Sequence, residues 1–355
     1  MLKKSILVTG GAGFIGSHTC TVLLKKNYKI YLIDSLDNSS GDSLDRLKLI
    51  NSLSEVSRSY EDLIFIKGNI KNFELLKSIF QEAIDQELPI DAVIHFAGFK
   101  SVAESIENPL IYWENNLGGT INLLKVMQIF KCYTLVFSSS ATIYGASESS
   151  YFEENSLIKP NNPYGQTKAV IEKFLHDIYK SSEAKWKIAN LRYFNPIGAH
   201  PSGLIGEEIT DKVSNIFPIL VKVASGLTKD FQVFGNDWPT KDGTCIRDYI
   251  HIMDLAEAHI ASLDYLSKEK SAFRNFNIGT GIGHSVLDLI KTFERVNKCK
   301  IPYDFVSRRK GDVAISVAKN DLAIRLLNWY PKRTLDDACI DGWKWQKKFI
   351  TKQRI

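Results

Sequence analysis

The chain has 355 residues, of which 44% are hydrophobic and 24% are charged, and its formal net charge is +5 at pH 7. This length favours two lobes, because single hydrophobic cores rarely grow beyond about 250–300 residues. The basic residues are scattered, apart from a modest cluster at 344–354, so no nucleic-acid partner is expected. No apolar run approaches the roughly 20 residues that span a bilayer, so no membrane partner is expected either.

The five cysteines are odd in number and far apart, at positions 20, 132, 245, 299 and 339. None forms a CxxC pair, so we expect neither a metal site nor a disulfide framework. Reduced thiols are typical of the cytoplasm, which is the location we predict.

The first half of the chain alternates strand-like and helix-like segments. In chain order the sequence predicts a strand at 5–9, a helix at 16–26, a strand at 29–33, a helix within the polar stretch 34–62, a strand at 63–67, a helix at 73–86, a strand at 91–96, a helix at 113–130, a strand at 133–138, a helix at 167–181 and a strand at 188–193. Such alternation indicates parallel βαβ units, so the predicted fold is α/β with a doubly wound, Rossmann-type parallel sheet.

The alternation stops near residue 195. Residues 195–211 are rich in glycine, proline and polar residues, and a strand, turn and helix are predicted at 247–265. We predict domains at 1–194 and 195–355, the second a smaller α/β lobe, with the segment near 245–265 returning to the first.

The first predicted strand runs into Gly10, Gly13 and Gly16, a GxxGxxG spacing. The first glycine allows a tight turn, the second a close approach of backbone to a pyrophosphate, and the third close packing of helix on strand. Asp34 ends the next strand about 20 residues on, where a carboxylate binds ribose hydroxyls and repels a 2′-phosphate. The pattern predicts a dinucleotide site that prefers NAD, the alternative being a structural turn and a surface Asp.

Two further loops follow strands at the same predicted sheet edge. They are Asn69-Ile70 and Phe96-Ala97-Gly98-Phe99-Lys100. Their backbone is placed to line the adenine and the ribose of such a cofactor, since ligands bind at the carboxyl ends of parallel strands. Loops without a function are equally compatible with this pattern.

Tyr164 and Lys168 are four residues apart, so on a helix they share one face. An ammonium about 4 Å from a phenolate contributes roughly 4 kcal/mol at an effective dielectric of 20, which would lower the pKa of the tyrosine from about 10 to about 7. Tyr164 would then be a general base, Ser140 would bridge it to a substrate hydroxyl, and Lys168 would also hold the nicotinamide ribose. This spacing is common on amphipathic helices, but after a dinucleotide site it predicts redox chemistry on a hydroxyl group.

Several longer strings resemble the UDP-galactose (UDP-glucose) 4-epimerases of the extended short-chain dehydrogenase/reductase group. They are TGGAGFIGSH, HFAGFKSVAES, FSSSATIYG, NPYGQTK, LRYFNPIGAHPSG, FGNDWPTKDGTCIRDYIHIMDLA and RRKGD. The resemblance implies an NAD-binding domain, a UDP-sugar lobe, and interconversion of UDP-glucose and UDP-galactose through a 4-keto sugar with tightly bound NAD. It also implies a homodimer, for which the candidate helices are 108–130 and 167–181.

The predicted site residues fall into two sets. The cofactor set comprises Gly10, Gly13, Phe14, Ile15, Gly16, Asp34, Asn38, Asn69, Ile70, Phe96, Ala97, Gly98, Lys100, Asn115, Tyr164, Lys168 and Tyr193. The substrate set comprises Lys100, Ser140, Tyr164, Asn195, Asn215, Phe234, Arg247, Arg309, Asp312 and Ser316. Members that lie outside the motifs above are implied by the resemblance. Arginines suit a diphosphate because their donors are forked, although a surface ion pair is the alternative for each of them.

The sequence departs from the family pattern at three places. Asn69 replaces the Asp that family members usually carry beside adenine, and the segment 207–215 differs from the expected proline- and asparagine-rich version. Ser316 aligns with a gate position where a bulky Tyr excludes N-acetylated sugars. A serine there predicts that UDP-GlcNAc and UDP-GalNAc are substrates as well, unless Ser316 is only a loop residue.

Three other functions are compatible with a dinucleotide fold. A dehydratase or decarboxylase is disfavoured because Ala141 and Thr142 provide no carboxylate pair after Ser140. Asp34 disfavours a reductase that uses NADPH. A non-enzymatic, NAD-sensing protein would need no Tyr164, Lys168 and Ser140 together.

Overall fold

A computed structural model of the chain describes residues 3–53, 62–145, 150–181, 185–208, 215–309 and 311–353. Its elements are, in chain order, β1 (Ser5–Thr9), α1 (Phe14–Lys25), β2 (Lys29–Asp34), α2 (Asp42–Ser52), β3 (Leu63–Lys67), α3 (Phe73–Asp85), β4 (Ile90–His95), α4 (Val102–Glu107), α5 (Pro109–Tyr112), α6 (Gly119–Ile129), β5 (Thr134–Ser140), β6 (Tyr151–Phe152), α7 (Pro163–Ser181), β7 (Lys187–Tyr193), β8 (Asn195–Ile197), α8 (Ile216–Ala224), β9 (Phe231–Phe234), β10 (Ile246–His251), α9 (Ile252–Lys268), β11 (Ala272–Ile278), β12 (Gly283–Ser285), α10 (Val286–Asn297), β13 (Tyr303–Val306), β14 (Ile315–Ala318), α11 (Asp321–Leu327) and α12 (Leu335–Gln353). A π-helical segment, Trp113–Gly118, joins α5 to α6. Among the described residues, none of these helices has both the length and the apolar character needed to cross a membrane.

The chain forms two compact units. The first consists of Met1–Ile143, Asn162–Arg192 and Ala256–Phe276. Within its described residues the sheet order is β11-β7-β5-β4-β1-β2-β3, and the pairings of β1 with β2 and β4, of β2 with β3 and of β4 with β5 are parallel. The predicted doubly wound, Rossmann-type sheet is confirmed. The strand order reverses between β1 and β4, where ligands bind in sheets of this kind.

Helices cover this sheet because its strands are apolar on both faces. Leu7, Tyr31 and Ile33 are buried in a core to which α3, α6 and α7 contribute. Their neighbours in sequence, such as Ile6 and Leu32, are buried as well. Runs of consecutive buried residues are typical of parallel strands with helices on both sides.

The second unit consists of Tyr144–Asn161, Tyr193–Leu255 and Asn277–Ile355. Its described strands form a sheet of order β12-β10-β14-β6, with β8 also paired to β10, and a separate pair, β13 and β9. Helices α8, α10 and α12 supply most of its apolar core. It corresponds to the smaller α/β lobe expected after the Rossmann-type sheet.

Several elements differ from the predicted ones. Helix α7 begins at Pro163 rather than at residue 167, because proline suits the first turn of a helix. The predicted helix 113–130 starts with the π-helical segment. Of the segment near 245–265, which was expected to return to the first domain, residues 256–265 belong to the first unit, whereas strand β10 pairs within the smaller sheet. Strand β11 is the later strand that joins the main sheet.

Candidate functional site

The glycine turn after β1 has the geometry of a phosphate cradle. Gly10 has a φ of +69°, and a Cβ there would lie 2.6 Å from Ala97 N. A Cβ on Gly16 would lie 2.4 Å from Gly10 O, whereas one on Gly13 would meet nothing closer than 3.4 Å. Two of these glycines are therefore required by the fold, and the third leaves room above the backbone. Helix α1 begins directly after it, with no side-chain cap from the described residues, so its positive end faces this space.

Asp34 connects the glycine turn to the loop after β2. Its Oδ2 accepts from Ala12 N at 3.0 Å, and its Oδ1 accepts from Leu36 N at 2.9 Å and Ser39 Oγ at 3.0 Å. A carboxylate offers about four acceptor positions, so one remains for a ribose hydroxyl. Asn38 lies exposed in the same loop.

The two predicted adenine-side residues have other contacts. The Oδ1 of Asn69 accepts from Lys71 N at 2.9 Å. Ile70 is buried in the sheet core, and its side chain occupies the space beside Gly119 that a Cβ would need. Only the backbone of Ile70 is therefore left to line a ligand.

The loop after β4 is fixed to the glycine turn and to the π-helical segment. Phe96 N and Ala97 N donate to Thr9 O at 3.0 and 3.1 Å. The Asn116 side chain accepts from Phe99 N at 2.8 Å and donates to Phe99 O at 3.1 Å. A Cβ on Gly98 would lie 3.1 Å from the same amide.

Asn116 is a residue that the sequence analysis missed. The predicted neighbour, Asn115, is buried, and its Nδ2 donates to Asn116 Oδ1 at 3.3 Å. Asn116 also donates to Thr167 Oγ1 at 3.2 Å on α7. The amide therefore connects the loop after β4 to the helix that carries Tyr164, a connection between residues too distant in sequence to be predicted from spacing. Lys100, at the end of that loop, is exposed.

Helix α7 carries both Tyr164 and Lys168 and is capped by Asn162, whose Oδ1 accepts from Gly165 N at 2.8 Å. Lys168 is buried, and its Nζ donates to Ser138 O at 2.6 Å. Burial lowers the pKa of Lys168 to about 8, while the nearby Glu172 carboxylate acts in the opposite direction. Lys168 is therefore mainly cationic at neutral pH.

Tyr164 has a raised pKa in this structure, which corrects the predicted shift toward 7. Burial raises the pKa of Tyr164, and its hydrogen bond with Ser140 lowers it by a smaller amount. The physical reason is that Lys168 Nζ, 5.9 Å from the centre of the Tyr164 ring, is held by a carbonyl of β5. Desolvation of the phenolate therefore outweighs attraction to the ammonium.

Ser140 is oriented by Thr142. Thr142 N and Thr142 Oγ1 both donate to Ser140 Oγ, at 3.2 and 2.9 Å. A hydroxyl has two acceptor positions and one proton, so the proton of Ser140 points elsewhere. Tyr164 is its hydrogen-bonding neighbour. From the sequence, Thr142 was considered only because it carries no carboxylate, and its contact with Ser140 was not predicted.

In the second unit, Arg247, Asp312 and Ser316 lie together. Arg247 on β10 donates to Ile246 O at 2.9 Å and to Val313 O at 2.8 Å, and its Nη2 lies 3.5 Å from Asp312 Oδ1. Ser316 is the residue directly opposite Arg247 on β14.

Phe234 and Arg309 form a second pair in this unit. The Arg309 guanidinium lies 4.3 Å from the centre of the Phe234 ring, a cation–π distance. The preceding Arg308 stacks in the same way on Trp238, at 4.0 Å, and binds Asp237. The ring predicted as a wall for uracil is thus covered by an arginine predicted to bind diphosphate.

The remaining predicted residues of this unit belong to neither of these two groups. Tyr193 is buried at the end of β7, and Asn195 begins β8 opposite Tyr249. Asn215 is exposed and donates to Glu207 Oε1 at 3.1 Å. Within the departing segment 207–215, residues 209–214 lie outside the described residues. The roles of these three side chains stay predictions.

Comparison with known proteins gives consistent relatives over nearly the whole chain. Residues 7–341 match a family model described as GDP-mannose 4,6 dehydratase. A UDP-glucose 4-epimerase of Bacillus subtilis is 46% identical over 346 residues, covering 98% of both chains, and one of Yersinia enterocolitica is 47% identical, covering 97% of both. The chain belongs to the dehydratase-type family of this model and, within it, to the UDP-glucose 4-epimerases.

Solved structures of the same epimerase family agree with this assignment. A UDP-glucose-4-epimerase from Stenotrophomonas maltophila, with NAD and formylated UDP-arabinopyranose bound, superposes with a TM-score of 0.92 at 42% identity and 98% and 99% coverage of the two chains. The Bifidobacterium longum epimerase, in complex with NAD+ and UDP, superposes with a TM-score of 0.88 at 40% identity, and the match covers 97% of this chain and 98% of that one. A UDP-Glc/GlcNAc 4-epimerase from Campylobacter jejuni superposes with a TM-score of 0.80 at 32% identity, and the match covers 97% of this chain and 99% of that one. The predicted family, enzyme class and NAD cofactor are confirmed at the level of these relatives.

Proposed function

We propose that this protein interconverts UDP-glucose and UDP-galactose by reversible oxidation at C4, through a 4-keto sugar and with tightly bound NAD. The observation that carries the proposal is the set Tyr164, Lys168 and Ser140, joined by contacts between α7 and the end of β5. This set lies in the same unit as the glycine cradle. Epimerases more than 40% identical over almost the whole chain support it.

The residues of the first unit fit NAD. Gly10 and Gly16 allow the turn, Gly13 leaves room for a pyrophosphate, and Asp34 keeps one acceptor position for a ribose hydroxyl. A carboxylate at this place disfavours the 2′-phosphate of NADP. Bound NAD supplies a hydride acceptor and donor and, when oxidised, positive charge that favours the phenolate of Tyr164.

Each of the three catalytic candidates has a distinct task. Tyr164 removes the proton of the sugar 4-hydroxyl and later returns it, so it must be a phenolate at the start of turnover. Lys168 favours that phenolate by its charge, and Ser140 directs its proton toward Tyr164 and the substrate oxygen. Removal of the 4-hydroxyl proton and of the C4 hydride, which bound NAD would accept, would leave a ketone at C4. Once the keto sugar has turned over, return of the hydride and the proton to the opposite face would give the epimer.

We assign the nucleotide sugar to the second unit. Arg247 and Arg309 provide forked donors for the diphosphate, and Phe234 provides an apolar wall for uracil once Arg309 turns from the ring to the phosphates. Asp312 holds Arg247 in place. Asn195 and Asn215 complete the proposed contacts with the nucleotide sugar, while the buried Tyr193 stays a proposed NAD contact.

Ser316 supports activity on N-acetylated sugars. Its small side chain lies on β14 opposite Arg247, in the strand pair assigned to the substrate. A Campylobacter jejuni relative with 32% identity is described as a UDP-Glc/GlcNAc 4-epimerase. We therefore include UDP-GlcNAc and UDP-GalNAc in the proposed substrate range.

We also propose a homodimer formed by the helices of the first unit. Ile106, Leu110 and Ile111 on α4 and α5 and Val170 on α7 expose their side chains, with Leu110 at 81%. Exposed apolar clusters of this kind are typical of interaction sites. In light scattering, Leu110→Asp should convert a dimer to a monomer, whereas a dimeric variant would place the interface elsewhere.

We propose a cytoplasmic location as well. The free thiols among the described cysteines agree with it, because disulfides are rare in that compartment.

The decisive experiment incubates the purified protein with UDP-glucose and, separately, with UDP-GlcNAc, without added cofactor, and follows products by proton NMR. Conversion of both supports a resident NAD and a permissive Ser316. Conversion of UDP-glucose alone keeps the epimerase and rejects the wider range.

The same spectra test a dehydratase, the activity that the matching family model describes. A 4-keto-6-deoxy product would favour it over the epimerase. We expect none, because the residues after Ser140 are Ala141 and Thr142, which carry no carboxylate. An absence of any product, even with added NAD, would favour a non-enzymatic, NAD-sensing protein.

A further inference from the structure

Three consecutive residues at the end of β5 contact three residues of α7 that are spaced by one helical turn. The contacts are Ser138 O with Lys168 Nζ at 2.6 Å, Ser139 Oγ with Glu172 Oε1 at 2.5 Å, and Ser140 with Tyr164. On a helix, residues four apart lie on one face. The proposed function uses Tyr164 and Lys168, and it leaves Glu172 and Ser139 without a role.

Glu172 is a buried carboxylate with a complete set of partners. Its side chain is 5% exposed, and that of Arg192 on β7 is 1% exposed. Arg192 Nε lies 3.0 and 3.2 Å from the two carboxylate oxygens, and Arg192 Nη2 donates to Oε2 at 2.6 Å. Burying such a pair costs desolvation energy that apolar residues of similar volume would not incur. Its location, one turn after Lys168, therefore suggests an electrostatic role.

We propose that Glu172 is a positioning residue that keeps Lys168 protonated and directed at β5, so that the cation is present when Tyr164 ionises. The inference rests on the proposed function, because it gives Lys168 the task assigned there. Arg192 and Ser139 hold the Glu172 carboxylate in place. A merely structural role would leave the ionisation of Lys168 independent of Glu172.

The other ionisable groups around Lys168 do not supply a negative charge. Tyr164 on the same helix is neutral, since burial raises its pKa. His95 on β4 is also neutral, because burial and the charge of Lys168 lower its pKa to about 3. Arg192, the ion-pair partner of Glu172, is a cation and supplies no negative charge either. Among the described residues, Glu172 is thus the carboxylate that offsets the burial of Lys168, whose pKa is about 8.

The test is an NMR titration of the lysine ammonium groups in 15N-lysine-labelled protein as isolated, with Lys168→Arg identifying the Lys168 signal. In Glu172→Gln we expect the pKa of Lys168 to fall by about 1 unit, the lower end of the effect of a nearby opposite charge. The alkaline limb of the pH profile for UDP-glucose conversion should move to lower pH by the same amount. Ser139→Ala, which removes one hydrogen bond and no charge, should move both by much less.

An unchanged Lys168 pKa in Glu172→Gln would overturn the inference and leave Glu172 a structural role. If that variant does not fold, because the Arg192 charge is left buried without its carboxylate, the pKa of Lys168 is compared between E172Q/R192Q and Arg192→Gln, which both lack the guanidinium and differ only in the Glu172 charge. There, too, an unchanged pKa overturns the inference. The NMR titration does not depend on turnover. If the wild-type protein were inactive, the proposed function would be contradicted, and the effect of Glu172 on the pKa of Lys168 could still be measured.

Discussion

The candidate residues of the two units are held in different ways. In the first unit, Tyr164 and Lys168 lie on one long helix and are held by largely buried contacts with Ser140 and Ser138 at the end of β5. In the second unit, Arg247 is held by two backbone carbonyls and an ion pair, whereas the exposed Arg309 lies on the face of an aromatic ring.

The difference indicates when each part of the site becomes organised. Buried hydrogen bonds in a low dielectric fix geometry before a ligand arrives, so the proposed proton-transfer groups are preorganised. The contact of the exposed Arg309 with the Phe234 ring is weak, so Arg309 can leave the ring for a diphosphate, and Arg247 can add this anion to the contacts that it already makes. Substitutions in the first unit should therefore mainly lower kcat, and those in the second should mainly raise KM.

The strongest test of this contrast is Tyr164→Phe. Removing a general base typically costs about 10²–10⁴-fold in rate, and we expect a loss of this size in kcat for UDP-glucose with little change in KM. Tyr179→Phe is a matched control on the same helix, because Tyr179 packs against Phe273. If Tyr164→Phe kept wild-type kcat in an NMR assay, proton transfer would have to occur elsewhere.

Arg247→Leu tests the second unit. Hydrogen bonds to charged groups are worth roughly 1.5–3 kcal/mol, so the KM for UDP-glucose should rise about 10–100-fold while kcat changes little. Arg325→Leu on the exposed face of α11 is the control and should leave both constants unchanged. A fall in kcat with unchanged KM would mean that Arg247 acts on the reacting groups and that the contrast between the units is wrong.

His95 tests how firmly the first unit is fixed. It is buried between Thr9 Oγ1 at 2.7 Å and Thr120 Oγ1 at 2.9 Å, and its pKa is about 3 instead of the usual 6.5. Below pH 6.5 the unfolded chain binds a proton that the folded chain does not, so stability is lost as pH falls toward 3. From pH 7.5 to 5.0 this loss is about 2 kcal/mol, at 1.36 kcal/mol per unit.

Urea unfolding of His95→Gln at both pH values isolates that contribution. The variant should be less stable at pH 7.5, yet its loss of stability on acidification should be smaller than the wild type's by about 2 kcal/mol. An equal loss in the two proteins would show that the imidazole titrates normally and that this part of the first unit opens readily.

Ser316→Tyr tests substrate range in the second unit. A bulky side chain in a filled site costs about 1–3 kcal/mol, so activity on UDP-GlcNAc should fall about tenfold or more, while UDP-glucose conversion stays near the wild-type rate. Ser316→Ala, which keeps the site small, should retain both activities. Equal losses on both sugars would mean that residue 316 does not distinguish the acetamido group.

The fold of the first unit could be predicted well because its signals are local. Strand β3 has the predicted bounds, and α3 differs from the prediction by one residue at its end, since each depends on a short run of apolar residues or a helical period. Strand β11, with the sequence AFRNFNI, was missed because its polar residues interrupt the apolar run, as the edge position allows. Strand β10 was placed in the wrong sheet because pairing partners are set by contacts distant in sequence.

The site residues, too, divide into those that local sequence signals predict and those that depend on contacts distant in sequence. Spacing together with its setting predicted the glycine turn, between a strand and a helix, and Tyr164 with Lys168, which lie one helical turn apart and follow a dinucleotide motif. It did not predict Asn116 or Thr142, whose importance depends on which backbone their side chains reach. The pKa of Tyr164 was predicted with the wrong sign, because the sequence does not reveal how much burial opposes a nearby charge.

Asp34→Asn is the prediction with the smallest expected effect, and it tests only the choice between NAD and NADP. In the first unit its carboxylate already binds the backbone of Ala12 and Leu36, so it is both a structural and a cofactor residue. Asp34→Asn preserves the size and removes the charge, and we expect the preference for NAD over NADP to weaken about tenfold, or about 1.4 kcal/mol. The measurement is reconstitution of epimerase activity in apoprotein by each dinucleotide. Asp37→Asn, in the same loop, should leave the preference unchanged. An equal preference in wild type and Asp34→Asn would assign the discrimination to backbone geometry, and preorganisation of the first unit would then include cofactor choice without any charge.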